Sequence, residues 1–137
     1  MNDHIADPQI YAEALALVCA AYSALDAGDA DAVAGCFTED GVWHRPDGAK
    51  SGEVAIRGVV AARPADQTTA HCVANLRLRK CGDGFVAEYY LTVFGSSPTT
   101  AAHLVALLDC TDELTRIDGL GLRIRLKRTK LRMKLGA

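Results

Sequence analysis

The apolar period of this chain changes once, and the change falls at Arg63-Pro64. Before it, hydrophobic residues recur every three or four positions; after it, they alternate. Helices first and strands afterwards make an α+β pattern, with the helices covering one face of a sheet. Asp7-Pro8 reads as a helix start, with Asp as N-cap and Pro at the first helical position. Ile10, Ala14, Leu17, Val18, Ala21 and Leu25 then form one stripe over roughly twenty residues, which Gly28 ends. Asp29 caps a second, shorter helix through Ala32, Val33 and Phe37. Asp40-Gly41 reads as a turn, and Val42-Trp43-His44 begins a strand that Pro46-Asp47-Gly48 interrupts. Ser51 heads a third helix carrying Val54, Ile56, Val59 and Val60, closed by Arg63-Pro64.

Strands are expected at 71–79, 85–94, 101–114 and 122–126. Their joints, Cys81-Gly82-Asp83-Gly84, Gly95-Ser96-Ser97-Pro98 and Ile117-Asp118-Gly119, are short, so neighbouring strands run antiparallel. In the last strand Leu122, Ile124 and Leu126 share one parity, and Leu131, Met133 and Leu135 the other. A bulge is therefore expected near Arg128-Thr129-Lys130. Phe85, Ala87, Tyr89, Leu91 and Val93 share one face, while Val86, Tyr90 and Phe94 share the other. A sheet apolar on both faces needs both covered, most simply the second by another copy of the chain.

Length sets one domain over residues 1–137, large enough to bury about two-thirds of its unfolded surface without a metal or disulfide. The net charge of -2 gives no reason to expect a nucleic-acid partner. Arg116, Arg123, Arg125, Lys127, Arg128, Lys130, Arg132 and Lys134 make the C-terminal segment basic. It reads as a solvated strand edge rather than an anion-binding tail, since no aromatic residues are interleaved for stacking. Cys19, Cys36, Cys72, Cys81 and Cys110 form no C-x-x-C pair, and their odd number suits a reducing cytoplasm. Asp3, His4 and Asp7 stand where a leader would need basic and then apolar residues. No apolar run is expected to reach the ~20 residues of a membrane span.

His71 lies on an expected strand and, by alternation, shares a face with Val73, Asn75 and Arg77. An imidazole beside an amide suits proton abstraction, with Asn75 donating to a developing oxyanion. The plainer reading is a histidine satisfied by a backbone carbonyl. Asp26 closes the first helix, where a carboxylate opposes the helix dipole; accepting the His71 N–H would give it a use. Tyr22 is either a phenolic acid or a core residue. Trp43 reads as a pocket wall, His103 as a second proton carrier, and Tyr89 and Tyr90 as pointing to opposite faces. His71, His103, Cys72 and Cys110 lack zinc-ligand spacing, and no phosphate loop or nucleophile elbow is present. The reading is a small-molecule site working by proton transfer, with no cofactor and no metal.

The helix-end run Ala24-Leu25-Asp26-Ala27-Gly28-Asp29-Ala30-Asp31-Ala32-Val33, then Phe37-Thr38-Glu39-Asp40-Gly41-Val42-Trp43, resembles the SnoaL-like branch of the nuclear transport factor 2-like superfamily. So do residues 52–63, His71-Cys72-Val73-Ala74-Asn75, and the ending Asp112-Glu113-Leu114-Thr115-Arg116-Ile117-Asp118-Gly119. The resemblance implies a cone-shaped barrel of three N-terminal helices on a strongly curved, mainly antiparallel sheet. It also implies a pocket between helices and sheet, and dimers through the sheet. Relatives include polyketide cyclases, dehydratases, steroid isomerases, epoxide hydrolases and small subunits of ring-hydroxylating dioxygenases; dehydratase-like members place a working His at the position of His71. Two positions depart from the pattern: Ala21 stands where those members often carry Tyr, and Leu122 where a Trp usually opens the last strand. The expectation is a lyase or isomerase of dehydratase or cyclase type acting on a small apolar carbonyl-containing ring compound. Its catalytic group would be His71, Asp26 and Tyr22, with Asn75, Trp43, His103 and Tyr89 contacting substrate. A silent binding module and a structural oxygenase subunit stay open as alternatives.

Overall fold

The computed structural model describes residues 7–136; Asp3 and His4, read above for a leader, lie outside them. Three helices, α1 (Pro8–Ala27), α2 (Ala30–Gly35) and α3 (Gly52–Ala61), accompany six strands. The strands are β1 (Phe37–Arg45), β2 (Gly48–Ser51), β3 (Thr68–Cys81), β4 (Gly84–Ser97), β5 (Thr100–Ile117) and β6 (Gly121–Leu131). They make one sheet in the order β2-β1-β6-β5-β4-β3, antiparallel except for the parallel pair β1–β6. The α+β class holds. The sheet is open, with β2 and β3 as its edges.

Asp7 caps α1 through Gln9 N–H (2.8 Å), and Gly28, at φ 70°, ends it. Ala14, Val18, Ala21, Tyr22 and Leu25 of α1 face the core, which lies between the helices and one face of the sheet. By length and composition alone α1 is apolar enough to cross a membrane (mean hydropathy 1.4), against expectation. The cause is its alanine content. In the fold its stripe packs on β3 and β6, while Glu13 pairs with Arg116 on the exposed side.

Several boundaries differ from the sequence reading. Phe37 opens β1 rather than closing α2, and Asp40-Gly41 lies inside β1 at a register irregularity. Thr38 O and the Phe37 ring crowd Gly41 there, at 3.0 and 3.1 Å from where a Cβ would stand. Val54 is exposed rather than part of the buried stripe. The β6 bulge falls at Arg125, not near 128–130: Glu113 pairs with Leu126 but Leu114 with Ile124. Leu122 and Ile124 thus face the core before the bulge, and Lys127 after it. Nor is β6 an edge; it runs between β1 and β5. Its outward basic residues meet acids of β5 instead, as in Arg125–Glu113 at 2.8 Å.

Candidate active site

Asp26 is near the C-terminal end of α1, where its charge opposes the helix dipole. The fold uses that charge. Oδ2 accepts the backbone N–H of His71 (3.0 Å), Oδ1 lies 2.5 Å from His71 Nδ1, and the Thr69 hydroxyl donates to Oδ1 at 2.8 Å. An ionised carboxylate only accepts, so we assign the ring proton to Nδ1 and the free lone pair to Nε2. Arg63 braces the corner, donating to the Leu25 carbonyl at the end of α1 and to Thr69. The His71 side chain keeps 11% of its surface exposed and that of Asp26 24%, so the pair sits at the boundary between core and solvent.

Burial and hydrogen bonding pull these two groups in opposite senses. Burial lowers the His71 pKa; Asp26 acts to raise it, and Arg63 and Arg45 add to the lowering. The net effect is a ring held below its ordinary value and neutral at pH 7. For Asp26, burial pushes upward, but the hydrogen bonds from the His71 backbone, the His71 ring and Thr69 outweigh it, and the carboxyl titrates below its ordinary value.

The Tyr22 ring stacks on His71, with centroids 5.5 Å apart and planes at 16°. Its hydroxyl points deeper, 2.8 Å from Tyr89 Oη and 3.1 Å from Lys127 Nζ. Lys127 also donates to Tyr89 Oη (2.7 Å) and to Asp112 Oδ2 (2.6 Å), and the Tyr89 hydroxyl donates to Asp112 at 3.0 Å. Lys127 and Asp112 are fully buried. Burial drives both tyrosine pKa values well up, and Asp112 and Cys110 push the same way. Burial likewise raises the Asp112 carboxyl, against the pull of Lys127. Cys110, 3.8 Å from Tyr22 Oη, is pushed up to about 11, mainly by burial. Sequence reasoning missed Lys127, Asp112 and Cys110. The one available signal was the parity break in β6, which it placed three residues too late.

The structure thus joins Asp26, His71, Tyr22 and Tyr89. Tyr22, one position after the family's usual tyrosine, still reaches the site. Asn75 does not join them. It sits at a bulge in β3 with φ 56°, where Ala74 pairs with Tyr90 and Arg77 with Glu88. Asparagine tolerates this left-handed conformation. The bulge turns Leu76 and Leu78 into the core and leaves Asn75 and Arg77 exposed, correcting the alternation read from sequence. His103 is exposed, and its Nδ1 lies 2.9 Å from the Ala101 carbonyl of its own strand, with no hydrogen bond to Asp26 or His71. Trp43 is buried between Phe37 and Arg45, and its indole N–H has no acceptor.

A cavity of about 720 Å³ opens elsewhere, between α2, α3, β1 and the β5–β6 turn. Part of its charge is paired: Arg57 with Asp31 and Glu53, and Arg125 with Glu113, which lies outside the lining. Among the described residues no three His, Cys, Asp or Glu side chains gather as a metal-binding group.

The profile of the SnoaL-like domain family matches residues 9–128. No curated protein sequence matches the chain. Among solved structures, ActVI-ORFA from Streptomyces coelicolor is 24% identical, covering 90% of this chain and 98% of its own, with a TM-score of 0.82. A protein from Catenulispora acidiphila in complex with S-DNPA is 21% identical, with coverage of 91% and 95% and a TM-score of 0.82. A putative aromatic ring hydroxylase from Novosphingobium aromaticivorans is 22% identical, with coverage of 96% and 95% and a TM-score of 0.81. At these identities the likeness is one of fold.

Proposed function

The chain belongs to the SnoaL-like domain family of the nuclear transport factor 2-like superfamily, and from that premise we propose that it is a lyase or isomerase of dehydratase or cyclase type. It acts on a small, mostly apolar ring compound with a carbonyl. The observation that carries this reading is the double grip of Asp26 on His71, on the backbone N–H and on ring Nδ1. A histidine that merely needed a partner would be satisfied by one carbonyl. Here the acceptor is a carboxylate that also fixes the ring's orientation and leaves Nε2 basic.

In the mechanism Nε2 removes the proton alpha to the substrate carbonyl. Asp26 steadies the imidazolium that forms. Tyr22, anchored below by Tyr89 and Lys127, holds the imidazole plane by stacking. Lys127 places a positive charge beneath the site, favouring the negative charge that develops on the substrate oxygen. Proton transfer of this kind needs no cofactor. The reading includes a cone-like enclosure, with the helices closing the inner sheet face over the substrate. It also includes a second copy on the outer face, where Phe94 and its cross-strand partner Leu104 are exposed. That one similar structure is named as a putative aromatic ring hydroxylase supports a ring compound as substrate.

The test is alpha-proton exchange of 1-tetralone in deuterium oxide, followed by NMR. The wild type accelerates exchange, and His71→Ala loses about 10²–10⁴-fold of that acceleration while keeping its circular dichroism. Equal rates in the two proteins would remove His71 from the chemistry.

A further inference from the structure

Across the inner face from His71, the β1–β2 hairpin carries an arrangement of charge that the proton relay does not use. Trp43 and Arg45 share the inner face of β1, and Lys50 is paired with Trp43 across β2. The Arg45 guanidinium lies over the Trp43 indole, 4.9 Å from its centre. Asp47, at the turn, bridges the two cations: 3.4 Å from Arg45 Nε and 3.6 Å from Lys50 Nζ. Its side chain is 64% exposed, whereas those of Arg45 and Lys50 are 32% exposed. A mostly solvated carboxylate thus occupies a site built by two less exposed cations. Those cations lie close enough to the relay for Arg45 to act electrostatically on the His71 ring. Beneath Arg45 in the same stack, the buried Trp43 N–H still lacks an acceptor.

From this juxtaposition, and resting on the proton-transfer reading above, we infer that the substrate is an anion: a ring compound bearing a carboxylate that Arg45 and Lys50 bind in place of Asp47. The planar guanidinium stacked on an indole suits a carboxylate approaching in its plane. The neutral part of the ring then extends from the Trp43 end towards His71. Asp47 acts as an internal competitor that the substrate displaces, so it limits affinity instead of providing it.

The experiment compares 2-naphthoate with 2-naphthamide, its neutral counterpart of the same shape, by calorimetric titration at low salt. The wild type should bind naphthoate about tenfold more tightly than naphthamide. Arg45→Gln should erase that preference while changing naphthamide affinity by no more than about twofold. Asp47→Asn should tighten naphthoate and leave naphthamide unchanged. Equal binding of the two compounds, binding of neither at millimolar concentration, or a preference that survives Arg45→Gln overturns the inference. His71→Ala separates the two readings. Exchange unaffected by that substitution with the naphthoate preference intact sinks the base alone; exchange lost with no naphthoate preference in the wild type sinks the anion site alone.

Discussion

One carboxylate positions the imidazole of His71 through two separate atoms, so the residue's chemistry depends on which protons Asp26 sees. With its pKa lowered, His71 is deprotonated in the folded protein at a pH where the unfolded chain still binds a proton. Stability from this group is therefore complete above 6.5, its ordinary value, and is lost as pH falls through the depressed folded pKa. Asp26 has the same sign in a lower window: its contribution is present above 3.8 and lost as pH falls through its own depressed value. Acid should thus weaken the fold in two stages and silence the base in the first. A titration of the His71 ring proton by NMR should give a midpoint below 6.5, and alpha-proton exchange should rise with pH through that midpoint and then level. A midpoint above 6.5 would mean that the carboxylate outweighs burial; the His71 stability contribution would then be lost as pH rises, while exchange would still rise through the higher midpoint.

At the scale of elements, α1 is tied to four strands through one phenol. Tyr22 touches His71 of β3, Tyr89 of β4, Cys110 of β5 and Lys127 of β6. On a flat sheet those strands would spread over about 14 Å, so the sheet must curl around this side chain. The Lys127–Asp112 pair anchors the arrangement. Lys127→Met should cost about 3–5 kcal/mol in urea unfolding, because it strands a buried carboxylate. Adding Asp112→Leu should recover part of that loss, a coupling that only a double-mutant cycle reveals. This is also where the sequence was hardest to read. Asp26 and His71 were legible because each lies on a segment whose period is unbroken up to it. Lys127 was not: in a run of arginines and lysines it has the signature of an outward residue, and only the extra residue at Arg125 turns it inward. Asn75 failed for the same reason. Alternation carries a side-chain assignment only as far as the next bulge, and φ 56° at Asn75 is a backbone choice that composition permits without announcing.

At the scale of the whole molecule, the helices cover one face of the sheet in part, and the other face is divided. Around Tyr90 the outer face is polar: Arg132 lies over the Tyr90 ring at 4.4 Å and pairs with Asp109, and Arg79 pairs with Glu88. Its exposed apolar residues lie towards one end, at Phe94 and Leu104. The expectation of a second face apolar along its length is met only there. If two copies pair through that end, Phe94→Glu should convert a sedimenting dimer to a monomer without altering the circular dichroism; a wild type that sediments as a monomer removes the pairing. The parallel contact of β1 with β6 carries a consequence of another kind. Apart from β2, the strand β1 pairs among the described residues only with β6, which is made after β3, β4 and β5. Until β6 emerges from the ribosome, the β1–β2 hairpin has no sheet to join and Asp112 has no ammonium to face. Assembly during synthesis must therefore wait for that one strand.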